Sequence, residues 1–568
     1  MRRLDTDVLI LGSGGAGLFA ALHAHRADPS LDITVAVKGL LGKCGCTRMV
    51  QGGYNVALAK EDSVERHFMD TIEGGKWLPD QELAWMLVTL AVERIRELEN
   101  ELGCFFDRNP DGTVHQKAFA GQTFDRTVHK GDLTGIEIIN RLAEQVWARR
   151  IRRLEDHRAV ELLKTRSGDA LAGVLMIDMH TGEYVLVRAK AVLLATGGGP
   201  TMYRYHTPSG DKSCDGLAMA LRAGLPLRDM EMVQFHPTGL LAGTHTRMTG
   251  TVLEEGLRGA GGHLLNGAKE RFMPRYDPLA ERATRDFVSR AMVTEMRRGA
   301  LSPNGGLYIS MAHLGPERVA RDFKGMVERC ADCGFDLAGG LVEVVPTAHY
   351  LMGGVEFAPD CSTALPGLFV AGEDAGGVHG ANRLGGNGVA NSTVFGAVAG
   401  DTMAAWVRDE GVLAEPDPAA LDAAIARCEP PAASTHGGLE SLRERLYGVM
   451  WDKVGVIRDR AGLAAALGEL AQLDAELAAT GVAGAERAFN LSWHDWLNLR
   501  SLAQVSRSIA TAALARENSR GAHYREDFPD AGALERSAYS SLRLEGERFT
   551  LEMKPVAFTR VKPGETLL

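Results

Sequence analysis

Four short apolar runs, widely spaced along the chain, end in glycine-rich or polar turns. Residues 5–11 (DTDVLIL) read as a buried parallel strand that runs into Gly12-Ser13-Gly14-Gly15-Ala16-Gly17, and then into an Ala/Leu helical pattern over 18–26. A second strand spans 33–37 and ends at Lys38. A third, 189–195, enters Thr196-Gly197-Gly198-Gly199, and a fourth, 368–371, enters Gly372-Glu373-Asp374. After about residue 406 the pattern becomes an Ala/Leu/Glu-rich helical periodicity, opened by Pro416-Asp417-Pro418 and clearest at 438–449 and 461–477. Pro430-Pro431 and Gly437-Gly438 break it into short helices, and from about 516 the chain turns polar and strand-like. There is no internal repeat and no low-complexity tract.

Strand, glycine turn and helix in that order make a dinucleotide fingerprint. Gly12 makes the turn, Gly14 and Gly15 let a pyrophosphate approach the backbone, and Gly17 lets the helix pack on the strand, with the phosphates at the helix N-terminus. Lys38 stands where an Asp or Glu would hold a ribose in an NAD protein. Distant strands that share such turns indicate one nucleotide-binding domain interrupted by an insertion, and a long cofactor lying across several strand ends fits FAD better than NAD.

Composition supports this. There are 66 glycines in 568 residues, well above an average of about 7%, with no Gly-X-Y period, so the excess serves turns and close backbone approaches. Apolar residues at 45% and charged residues at 24% exclude disordered and fibrous classes. With 63 Lys+Arg against 73 Asp+Glu and a net charge of −10, nucleic acid is not expected as a partner. Eight cysteines are too few for a disulfide framework, which points to a reducing compartment. No apolar stretch reaches 18 residues, the nearest being 83–92, and no signal-peptide core follows Met1-Arg2-Arg3. A cytoplasmic protein is expected, attached to a membrane only through partners.

The chain resembles the flavoprotein subunits of succinate dehydrogenase and fumarate reductase, a family that includes L-aspartate oxidase. The matching stretches are GSGGAG at 12–17, QGGYNVAL at 51–58, DGLAMALRAG at 215–224, QFHPTG at 234–239, EEGLRGAGG at 254–262, ATRD at 283–286, HYLMGG at 349–354, HGANRLGGN at 379–387, WDKVGVIRD at 451–459 and ENSRGAHYREDFP at 517–529. The resemblance implies hydride exchange between flavin N5 and a carbon beside a carboxylate. It implies Arg285 as the proton donor, resupplied by Glu255 and Arg258. A guanidinium is a weak acid, so it needs such a relay. His236, His349 and Arg383 are implied as carboxylate clamps, the arginine by a bidentate fork and the histidines by single hydrogen bonds. FAD contacts are implied for Gly12, Gly14, Gly15, Gly17, Lys38, Thr47, Gln51, Gly52, Gly53, Gly197, Asp215, Glu373, Arg383 and Asn387.

Two positions depart from that pattern. Succinate dehydrogenases bind flavin covalently through a histidine five residues before the Gln-Gly-Gly, and here that position is Cys46. A thiolate can attack an activated flavin methyl, so both a cysteinyl link and non-covalent FAD are open, with the non-covalent state favoured and a lower flavin potential expected from it. Glu254 replaces a Thr or Ser that donates to the distal substrate carboxylate, and a carboxylate there repels another unless one is protonated. Ala260 is a further difference. Cys330-x-x-Cys333 lacks the second pair that an iron–sulfur cluster needs, so no metal site is expected in the chain.

The expected fold is α/β: a Rossmann-like FAD domain (1–237 with 346–405) interrupted by an α+β capping domain (238–345), then a helical domain (406–515) and a small C-terminal domain (516–568). The expected function is an FAD-dependent oxidoreductase working on a C4 dicarboxylate or related α,β-unsaturated acid. The implied partner is an iron–sulfur protein that transfers electrons. An L-aspartate oxidase-like enzyme is the alternative, and a non-catalytic electron-transfer or assembly subunit that keeps FAD is a third reading.

Overall fold

A computed structural model describes residues 1–431, 438–484 and 486–568. The apolar run predicted at 5–11 lies within strand Arg2–Leu11, whose last four residues are fully buried. It pairs in parallel with Ile33–Ala36 on one side and Tyr184–Leu194 on the other. Ile151–Leu154 extends the parallel sheet beyond Ile33–Ala36, and Leu368–Val370 joins it against the end of Tyr184–Leu194. The antiparallel pair His157–Lys164 and Leu171–Asp178 completes seven strands. Strands from both ends of the first 370 residues therefore share one sheet, as an interrupted nucleotide domain requires. Helices Gly15–Ala27 and Asn387–Asp409 pack against each other over its buried face.

The interruption forms a second layer with its own core. Strands Val233–Leu240, Val342–Leu351, Leu307–Ser310 and His263–Leu265 make an antiparallel sheet in that order. Its buried side chains, among them Leu253, Phe272, Val288, Met292, Ile309 and Val342, all lie between 240 and 344. Val233–Leu240 leaves the first unit and Val342–Leu351 returns to it, and the two pair with each other.

The helical region holds Pro418–Cys428, Leu439–Lys453, Arg460–Ala479 and Leu491–Ala515. Asp417, Asp459 and Asn490 cap three of these, each side chain accepting from a first-turn backbone N–H. Gly438 precedes the second helix with φ +112°; the expected break at Gly437 lies outside the described residues. These helices bury Leu463, Leu470, Trp493, Trp496 and Ile509 in one core with Leu175, Leu186 and Leu194 of the main sheet.

The C-terminal segment, expected as a small domain over 516–568, packs closely on the first unit. Its hairpin, Ala538–Glu545 with Arg548–Pro555, extends a sheet begun by Leu227–Arg228 and Gly354–Val355, and Val561 packs with Phe68 and Trp77. A hairpin of two strands rarely stands alone in water, and this one is completed by strands from the first unit. No helix among the described residues is long and apolar enough to cross a membrane.

Candidate active site

A cavity of about 500 Å³ runs from the glycine turn to the seam between the first unit and the inserted one. Gly14 and Gly15 stand at one end, residues 46–53 and Thr196-Gly197 line its middle, and His236, Glu254, Glu255, Arg285, His349 and Arg383 close the other. Gly12 has φ +113°, and a Cβ there would sit 2.1 Å from the Ala195 carbonyl oxygen, so only glycine makes this turn. A Cβ at Gly17 would strike the Gly12 carbonyl oxygen at 2.0 Å, which is the close helix-on-strand packing expected of the third glycine. Gly14 by contrast has only Thr47 Oγ1 near its missing Cβ, at 3.5 Å, leaving room beside the helix N-terminus for phosphate.

The residues fit FAD. Cys46, Thr47, Gln51, Gly52, Gly53, Gly197 and Glu373 all line the cavity. The Thr47 hydroxyl accepts from Gly15 N–H at 3.0 Å and ties the loop to the helix start. Glu373 accepts from the backbone N–H groups of Gly199 and Leu351, and burial raises its pKa. Burial pushes the Cys46 thiol up to about 12, and nearby Lys212 does not offset this.

Lys38 and Asp215 lie deeper, lining a smaller space of about 60 Å³ beside Gly12 and Gly14. Lys38 Nζ donates to Asp215 at 2.9 Å and to Ser213 at 2.8 Å, and Arg158 donates to the other Asp215 oxygen at 2.7 Å. Burial alone would raise Asp215; Arg158 and Lys38 outweigh it and hold the carboxyl far below the usual range. The lysine in the ribose-binding position thus has its own counter-ion. Asn387 was expected to contact FAD. It is absent from the cavity wall, and its amide is engaged by Asn55 at 2.9 Å, His67 at 3.0 Å and Thr71 at 3.2 Å. Its work is to pin the start of helix Asn387–Asp409.

At the far end the inserted unit supplies the charged groups. Glu255 sits just before the one-turn helix Gly256–Gly259, which places Arg258 back over it. Arg258 donates to Glu255 Oε1 at 2.9 Å, and Arg285, at the start of helix Arg285–Arg297, donates through Nε to Oε2 at 3.1 Å. Burial would raise the Glu255 carboxyl, but Arg285 and Arg258 overcome it and keep it ionised. Arg258 is fully buried and off the cavity wall, so the order from the cavity inward is Arg285, Glu255, Arg258. Gly385 makes room for this: a Cβ there would meet Glu255 Oε2 at 2.4 Å and Arg285 Nη2 at 2.9 Å.

His236 and His349 project from the two paired strands that join the units, their rings 5.5 Å apart. The Thr238 N–H donates to His236 Nδ1 at 3.3 Å, so the ring proton is on Nε2. Burial first, then Arg285 with the other nearby cations, drives both histidines well below their ordinary pKa, leaving them neutral single donors. Arg383 is 5% exposed and stacks over Tyr350 at 4.5 Å. Among the described residues no carboxylate pairs with it, and its buried Nε has no partner. Burial and then Arg285 lower its pKa to about 10. Glu254 is also buried; Lys117 Nζ is 3.6 Å away, Oε2 has no hydrogen-bond partner, and burial raises its pKa.

Sequence reasoning did not single out Gln234, which accepts from Arg285 at 3.2 Å and donates to the Arg383 carbonyl at 2.7 Å, spanning relay and clamp. It lies inside the QFHPTG stretch, so the signal was present. Lys117 and Phe119, which flank the site, come from a polar segment with no recognisable pattern.

Residues 7–389 match the FAD binding domain family and residues 443–567 the fumarate reductase flavoprotein C-terminal family. A fumarate reductase (CoM/CoB) chain of Methanothermobacter marburgensis is 39% identical, over 93% of this chain and 95% of that protein. The fumarate reductase flavoprotein subunit of Escherichia coli is 33% identical, over 96% and 91%. A solved Escherichia coli quinol fumarate reductase chain superposes with a TM-score of 0.93 at 31% identity, covering 100% of this chain and 99% of that one. The chain belongs to the succinate dehydrogenase and fumarate reductase flavoprotein family and is an FAD-dependent oxidoreductase acting on CH–CH groups.

Proposed function

We propose that the enzyme reduces the C=C bond of a C4 dicarboxylate or a related α,β-unsaturated acid, with Arg285 delivering the proton. The observation that carries this reading is a charge imbalance. Three buried guanidiniums, Arg258, Arg285 and Arg383, surround one ionised carboxylate, Glu255. Buried unpaired cations are costly, and a substrate bearing two carboxylates is the natural complement.

FAD, when bound, supplies hydride chemistry at its flavin ring. The chain's part is to hold the acid and manage the proton. Arg383, with no carboxylate of its own among the described residues, takes one substrate carboxylate in a fork, and His236 and His349 each offer one N–H. Arg285 is held by Glu255 on one edge and Gln234 on another, which fixes its direction toward the cavity. A proton leaving Arg285 is replaced along Glu255 from Arg258, so the donor returns to its charged state.

Glu254 faces the same cavity, its Oε2 without a hydrogen bond and only 3.6 Å from Lys117 Nζ, which supports a substrate whose remote end carries a hydrogen-bond donor such as an amine or hydroxyl. An aspartate-oxidase reaction is not favoured, because the Arg285–Glu255–Arg258 arrangement serves protonation of a carbon centre. The electron partner in this reading is an iron–sulfur subunit, through which the chain would also associate with a membrane; relatives that are themselves subunits of fumarate reductases support it. The test is reoxidation of the chemically reduced, FAD-loaded enzyme by a panel of unsaturated dicarboxylates without oxygen.

A further inference from the structure

A second cavity, of about 680 Å³, adjoins the small space beside Lys38, sharing Arg158, Ala159 and Asp215 with it, and extends from there away from the substrate end. It opens where strand His157–Lys164 and helix Asp215–Arg222 meet helices Arg460–Ala479 and Leu491–Ala515 and the turn of the C-terminal hairpin. Five arginines line it, Arg158, Arg222, Arg427, Arg500 and Arg507, against an apolar wall that includes Ala475, Ala478, Leu544 and Phe549.

The carboxylates nearby do not balance these charges. Arg158 pairs with Asp215 at 2.7 Å, and Arg507 with Asp474 at 3.3 Å. Arg222 and Arg427 converge on one oxygen, Glu161 Oε2, each at 2.9 Å. Arg500 pairs with no carboxylate among the described residues; it donates to the Arg427 carbonyl at 2.6 Å and lies over Trp496 at 4.8 Å. Glu547 also lines the cavity, so the five arginines and the Lys38 that shares Asp215 face four carboxylates, Asp215, Asp474, Glu161 and Glu547, and two positive charges are left over. Arg158, 2% exposed, also keeps a buried Nε with no partner.

We propose that this cavity binds a small organic anion with at least two phosphate-type charges on an apolar body, the class to which a nucleoside diphosphate belongs. Guanidinium forks match phosphate oxygens in bidentate pairs, and the alanine and phenylalanine wall takes the uncharged part. Inorganic pyrophosphate supplies the charge without the body, and citrate supplies carboxylate charge without the phosphate geometry, so the three probes separate the contributions.

Isothermal titration of the FAD-loaded enzyme with ADP, pyrophosphate and citrate tests this, FAD keeping ADP out of the cofactor's own site. The expected order of affinity is ADP, then pyrophosphate, then citrate. Arg500→Gln and Arg427→Gln weaken ADP about tenfold or more while the flavin spectrum stays that of the wild type. Arg500→Lys, which keeps the charge and loses the fork, falls between and guards against a folding artefact. No ADP binding at about 1 mM, or equal ADP affinity in wild type and both glutamine variants, overturns the proposal. Citrate binding more tightly than ADP overturns the phosphate assignment.

Discussion

The Arg285 guanidinium donates through Nε to Glu255 Oε2 at 3.1 Å across thirty residues of chain, while Arg258 donates to the same carboxylate's other oxygen at 2.9 Å. One buried carboxylate therefore orients two guanidiniums, one facing the cavity and one behind it. In the proposed reading this separates the proton donor, Arg285, from Arg383, the guanidinium left to grip substrate.

Removing the donor and removing the relay should have different signatures. Arg285→Ala should lower kcat about 10³-fold with FAD retained, and Glu255→Gln about 10²-fold or more. Glu255→Gln also leaves two buried cations without a counter-ion, a cost of about 3–5 kcal/mol. Its loss of rate should come with a lower Tm, whereas Arg285→Ala should not. Steady-state kinetics beside thermal melts check both.

The clamp should act on binding. Arg383→Lys keeps a charge but loses the fork, and should raise KM about tenfold to a hundredfold with a smaller change in kcat. A fall in kcat with KM unchanged would instead place Arg383 among the groups that act only in the transition state.

Cys46 should not hold flavin. A thiol with a pKa of about 12 is roughly one part in ten thousand thiolate at pH 8. Acid precipitation should leave yellow flavin in the supernatant, with the intact chain at its unmodified mass, and Cys46→Ala should behave alike. Flavin remaining on the chain, and lost in Cys46→Ala, would show the thioether instead.

Glu254 gives a pH dependence with a definite sign. Burial raises its pKa, so below that value the side chain is neutral and above it a negative charge faces the substrate. KM for a plain dicarboxylate should therefore rise with pH in the wild type. Glu254→Gln should abolish that rise, and Glu254→Thr should lower KM for fumarate at the alkaline end. The same raised pKa means that ionising Glu254 on going to higher pH costs folded-state stability, so the melting temperature of Glu254→Gln should fall less with pH than that of the wild type.

Much of the fold was legible because backbone chemistry leaves marks on sequence. The turn at Gly12 tolerates no side chain, and the strand before it is buried on both faces, so each reads directly as a local pattern. Helix Leu491–Ala515 was not singled out, because it buries Trp493, Trp496, Ser501, Ser506 and Ser508 around its circumference and shows no clean apolar stripe. That the C-terminal hairpin joins the first unit was not legible, because its one partner strand there, Leu227–Arg228, is two residues long and about three hundred positions away. In the site, Arg285, Glu255, Arg258, His236, His349 and Arg383 were named from motifs and do come together. Asn387 sits among glycines near the cavity while its own side chain is engaged by Asn55 and His67, an arrangement no local pattern shows. The Lys38–Asp215 pair was out of reach, since nothing local tells that two residues 177 apart neutralise each other.

The most direct test of the account is anaerobic stopped-flow reoxidation of the reduced, FAD-loaded enzyme by fumarate and related enoates. The account predicts rapid return of flavin absorbance with at least one unsaturated dicarboxylate, and a rate about 10³-fold lower in Arg285→Ala at saturating acid. Reoxidation at the same rate in Arg285→Ala would contradict it, as would no reoxidation by any unsaturated acid in an enzyme that oxidises aspartate to give hydrogen peroxide.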